Sequence, residues 1–120
     1  MNRITIKTIA QSLRDLTVTD NGSLALSAAI AYNLPVLPAS TDFKFVFRQQ
    51  YESKVASLIS AVNELQVVNY QVTLDQVETM FVNRLRATYS PQIKVDLCLT
   101  EENCGVGFQA VYDAVAVALK

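Results

Sequence analysis

The residues with the most chemistry to offer stand together in CLTEENCGVGF, residues 98–108. Cys98 and Cys104 are six apart and could serve as nucleophiles or close a small loop. Glu101 and Glu102 are adjacent carboxylates. Gly105 and Gly107 precede a helical pattern, where backbone amides can hold an anion. Each of these has a plainer reading. The chain contains no His, so the commonest general base is missing and neither thiol has an imidazole to activate it. Two cysteines without His do not make a zinc site. The GVG lacks the third glycine and the partner acid of a dinucleotide site, and adjacent acids are ordinarily just solvated. Arg84 and Arg86 in VNRLRATY fall on different helix faces and make no shared clamp without a partner surface. The expectation is no enzyme, no cofactor and no metal. The start of the chain lacks the plan of a signal peptide, so both cysteines are expected as thiols.

The elements that would hold these residues read as mainly helical. TIAQSLRDL carries Ile9, Leu13 and Leu16 at helical spacing, after an alternating ITIKTI that suits a strand. SLALSAAIAYNL is small and apolar on nearly every face, the mark of a helix packed on several sides. LPVLPAS, with two prolines, is the best loop in the chain. DFKFVF alternates Phe43, Phe45 and Phe47, as a strand would. YESKVASLISAVNEL and TLDQVETMFVNRLRATY carry apolar helical stripes, Val55–Leu58–Ile59–Val62–Leu65 and Leu74–Val77–Met80–Phe81–Leu85. Thr73 and Gln76 form a capping box for the second. QIKVDLCL alternates again, and FQAVYDAVAVAL is a last helix with Phe108, Val111, Tyr112, Val115 and Leu119 on its face. The fold class expected is mainly α: a four-helix bundle with a small antiparallel sheet at one end.

Composition narrows the class further. The chain has 120 residues, 51% of them hydrophobic and only 18% charged, against a usual ~25% charged. That favours burial of surface against copies or partners. The alternative is a monomer clothed in Ser, Thr, Asn and Gln. Ten Lys and Arg against eleven Asp and Glu give a net charge of −1, no footprint for free-standing nucleic-acid binding. No apolar run approaches the ~20 residues of a membrane span.

From Phe45 to Leu119 the chain resembles the coat proteins of rod-shaped tobamoviruses, the tobacco mosaic virus type. The pieces are FVF near a strand start, a helix, NYQ opening the next, SPQIKV, and QAVYDAVAVAL, in that order and nearly that spacing. In the family the last helix runs on into a segment containing Asn-Arg-Ile and then into a long helix. Here NRI is residues 2–4, and AQSLRDLTVTDNGSLALSAAI looks like that helix and its approach, with DNGSLALSAAI its best match. The order implies a circularly permuted, engineered coat-like domain over 1–120. Residues 1–34 would be the long-helix segment, 35–42 the joining loop and 43–120 the remaining helices and strands. It implies that the two chain ends lie together facing a central hole, with LPVLPAS at the opposite, outer end.

The resemblance implies a structural subunit that assembles into rings, discs or helical rods, located in a virion or the cytoplasm. Its partners would be copies of itself and single-stranded RNA. Arg3, Lys7 and Arg14, with Asp20 and Asn21 in place of an acid pair, would be the RNA-facing residues. Thr17 and Val18 stand where the family has two arginines, which argues against tight RNA binding. Asp113 matches an acid that in the family faces a neighbour's carboxylate. Its counterpart here falls between Arg84 and Arg86, so these three are the expected subunit contact. The rival from another class is a small monomeric helical binding or adaptor domain.

Overall fold

ITIKTI is not a strand. In the computed structural model, which describes residues 3–15, 22–65, 72–90, 92 and 107–120, it opens helix α1, Arg3–Arg14. Ile6, Ile9, Ala10 and Leu13 are buried, and their i, i+3, i+4, i+7 spacing makes one helical stripe. That four-residue stripe outweighs the alternation of Ile4 with Ile6, and Ile4 is left exposed.

The DFKFVF alternation fails for a similar reason. The Asp42 carboxylate accepts from the Phe45 amide at 3.1 Å, an N-cap that starts helix α3, Phe43–Val46. Phe43 and Phe47 are also an i, i+4 pair, and the helix turns both inward while Phe45 stays exposed. The chain then widens into a π-helical stretch, Phe47–Tyr51, where the Glu52 amide reaches back to the Phe47 carbonyl. It continues as α4, Glu52–Glu64. The remaining elements are α2, Gly22–Asn33, α5, Leu74–Tyr89, and α6, Phe108–Ala118. Among the described residues there is no strand, so the small antiparallel sheet expected at one end is absent there. QIKVDLCL lies outside the described residues apart from Gln92. The four-helix bundle is corrected as well, because residues 1–34 hold two helices and the described total is five of eleven residues or more.

These five form a closed circuit of contacts, α1 to α4 to α5 to α2 to α6 and back to α1. The circuit is possible because α2 is apolar all round. Every residue from Ala25 to Tyr32 is buried, and its four alanines, Ala25, Ala28, Ala29 and Ala31, let neighbouring helices approach closely. The amphipathic stripes expected of α4, α5 and α6 all face this centre: Val55, Leu58, Val62, Val77, Phe81, Leu85, Val111 and Val115 are fully buried. Each such side chain contributes about 1.5–3 kcal/mol. The Thr73–Gln76 capping box is present, with bonds of 3.0 and 3.2 Å. Gly107 takes φ 103° just before α6, a left-handed conformation that favours glycine.

One consequence of the expected permutation does not hold. Leu119 lines the same cleft as Asn33, Leu34 and Pro35. The end of α6 and the start of the LPVLPAS loop therefore share one end of the molecule. Polar ties hold them there: Asn33 Nδ2 donates to the Tyr112 carbonyl at 3.1 Å, and Lys54 Nζ donates to the Leu119 carbonyl.

Candidate assembly surface

The loop after α2, helix α3 and the last turn of α5 meet through Tyr89. Tyr89 stacks on Phe43, centroids 6.4 Å apart and planes 18° apart, and its hydroxyl donates to the Leu37 carbonyl at 2.7 Å. This pins the proline-flanked loop to α5. Val36, Phe45 and Tyr89 remain 51%, 58% and 44% exposed. They are three of the five large exposed hydrophobics among the described residues, the others being Ile4 and Val117. Single exposed apolar side chains are ordinary; these three stand on segments that Tyr89 joins.

The charged residues singled out in the sequence separate into two groups. Arg3, Lys7 and Arg14 are exposed along α1. Asp113 is exposed on α6 and accepts from Gln109 Nε2 at 2.8 Å; Arg86 is exposed on α5. In the helical circuit α2 stands between these two helices, and no Arg86–Asp113 pair forms within the chain. Arg84 turns inward. Its Nη1 donates to the carbonyls of Ala31 and Leu34 at 3.2 and 3.1 Å, and its guanidinium lies 5.1 Å from the Tyr32 ring centroid. A cation here satisfies carbonyls at the C-terminus of α2 and complements the helix dipole. Asp20, Asn21, Thr17, Val18, Cys98, Glu101, Glu102, Cys104 and Gly105 lie outside the described residues.

Tyr32 is buried, and its hydroxyl has no hydrogen-bond partner among the described residues. Burial pushes the phenol up to about 12, against the opposing pull of Arg84. The folded chain thus keeps Tyr32 neutral where the unfolded chain would ionise it from its ordinary 10. Stability present below pH 10 is lost as pH rises from 10 through about 12, by about 2–3 kcal/mol. Tyr32→Phe should flatten this alkaline loss in urea titrations across that range. At neutral pH it should leave stability unchanged or raise it by up to ~1 kcal/mol, since an orphaned hydroxyl is removed. An unaltered alkaline profile in Tyr32→Phe would refute the assignment.

A second polar cluster escaped the sequence reading. Arg48, on the π-helical stretch, pairs with Glu52 at 3.2 Å, with Asp75 at 3.2 Å, and through Nε with Glu78. Glu78 is buried, and its hydrogen bond is the main cause that raises the Arg48 pKa above its ordinary value. The signal was available as the Arg48–Glu52 i, i+4 pair and as two acids one turn apart at the start of α5. The three carboxylates share one guanidinium, and no group of acids, Cys or His among the described residues could hold a metal ion. The cleft at the end of α2 measures about 210 Å³, below the roughly 300 Å³ at which small-molecule sites begin.

The described residues thus define an all-helical bundle. Compared with protein-family models, curated proteins and solved structures, the chain matches none.

Proposed function

We propose that this protein is a structural subunit that assembles with copies of itself into a ring or a helical rod. The observation that carries the reading is the exposure of Val36, Phe45 and Tyr89 on three segments that meet through Tyr89, on a chain with only 18% charged residues. Repetition of one heterologous contact closes into a ring or propagates as a helix. The likeness of SPQIKV and QAVYDA to rod-shaped virus coat proteins is a second support. FVF, read there as near a strand start, belongs to α3 and the π-helical stretch and lends none.

The test is the size of the purified protein at ~100 μM by size exclusion with light scattering, and its form by electron microscopy. Large discs or rods are expected, through contacts of over ~1,000 Å². A clean monomer at that concentration would overturn the reading and favour the adaptor-domain alternative. Val36→Ser with Phe45→Ser should raise the concentration needed for assembly about tenfold or more while leaving the circular dichroism spectrum intact, because both side chains lie largely in water in the single chain.

A further inference from the structure

Two oppositely charged features face outward among the described residues. The first is the outer stripe of α1. At 3.6 residues per turn, Arg3, Lys7 and Arg14 fall within about 40° of each other, and they span about 16 Å along the axis. All three are exposed, and among the described residues none has an acidic partner. Asp15, just beyond α1, lies about 100° round from Arg14 and is held by Gln11 Nε2 at 3.1 Å.

The second feature is the Arg48 cluster. Three carboxylates on one guanidinium leave an excess of two negative charges. Glu78 is shut in behind Arg48, so the outward charges are Glu52 and Asp75, whose side chains are 40% and 85% exposed. Lys44, one turn before Arg48, makes no ion pair with them. In the circuit of helices α4 stands between α1 and α5, so the basic stripe and the Asp75 side of the cluster belong to different sectors of the surface.

We infer that the Arg3–Lys7–Arg14 face of one copy docks against Glu52 and Asp75 of the next. This rests on the assembly reading above and deepens it: the exposed apolar side chains supply adhesion and the charge match sets register and direction. Two different patches meeting head to tail make a heterologous contact, the kind that builds rings and rods. Charge complementarity selects partner and register more than it adds affinity. A second copy suits the stripe better than a polyanion does. Three cations track few phosphates, and the chain as a whole carries −1.

The test uses two full-length variants, one carrying Arg3→Glu, Lys7→Glu and Arg14→Glu, the other Glu52→Lys and Asp75→Lys. Alone at low salt, each should need at least about tenfold more protein than wild type to assemble, and the gap should narrow at ~0.5 M salt. Mixed in equal amounts they should assemble near the wild-type concentration, because each restores the other's missing partner. If the lysine variant fails to fold, Glu52→Gln with Asp75→Asn takes its place and should weaken assembly in the same direction. Variants that assemble as wild type does, or a mixture that recovers nothing, overturn the inference and leave the assembly reading standing. A wild-type monomer overturns the assembly reading itself. Single-stranded poly(U) held by wild type but not by the glutamate variant, with assembly of both equal, would assign the stripe to nucleic acid and also overturn the inference.

Discussion

Phe81→Ala should cost about 3–5 kcal/mol of folding stability, a large part of the roughly 5–15 kcal/mol a domain has. Phe81 is fully buried on α5. Its ring lies 5.6 Å from that of Phe47 and 6.2 Å from that of Tyr51, the latter edge-on. Both partners belong to the π-helical stretch, whose wider turn brings Tyr51 back to the side that Phe47 faces. Truncation therefore removes a ring from the junction between that stretch and α5. The cavity it leaves is bounded by two further rings that cannot easily collapse into it, so the cavity cost adds to the lost burial. Urea unfolding followed by circular dichroism measures the loss. Phe81→Leu, which keeps most of the volume, should cost markedly less. A loss below ~1 kcal/mol for the alanine variant would mean that the π-helical stretch is not packed on α5 as described.

The aromatic junction also shows what the sequence could and could not tell. Phe47 and Phe81 both stand on apolar patterns, and the helical stripe that carries Phe81 faces inward in the fold. Phe47 also stands on the alternation Phe43–Phe45–Phe47, which fits a strand equally well. What decides between the two periods is whether a longer i, i+4 series continues, and here it does, through Tyr51 to Val55. The same conflict at Ile4 and Ile6 is resolved by Ile9, Ala10 and Leu13 further along. Short alternating runs that open a helix are ambiguous within themselves; the stripe beyond them is not. The encirclement of α2 was legible because a helix with no polar face can only be surrounded. The direction of a charged side chain was not. Arg84 and Arg86 differ by one helical face, and nothing near them in sequence says that the carbonyls of Ala31 and Leu34, some fifty residues away, need a donor. The meeting of the loop, α3 and α5 is hidden likewise, since it forms only when Leu37, Phe43 and Tyr89 come together in the fold.

Arg84→Met should destabilise the folded subunit by about 2–4 kcal/mol. The substitution keeps much of the aliphatic stem and removes the donors. The carbonyls of Ala31 and Leu34 then lose the bonds Arg84 makes to them at the buried end of α2, the helix loses a cation at its negative end, and the Tyr32 ring loses the guanidinium above it. Arg84→Lys should recover only part, because a compact ammonium lacks the flat guanidinium that lies over the Tyr32 ring. Arg86→Met, on the exposed neighbour, should stay within about 0.5 kcal/mol of wild type. These differences separate two roles for the same side chain. If Arg84 acts inside the subunit, its loss lowers the urea midpoint, and at temperatures where the variant is still folded it assembles at the wild-type concentration. If Arg84→Met leaves the urea midpoint in place and abolishes assembly, the guanidinium belongs to a contact between copies, as its position beside Leu85 and opposite Asp113 in the coat-protein pattern implies. In that case its inward geometry is not the one the assembled protein uses.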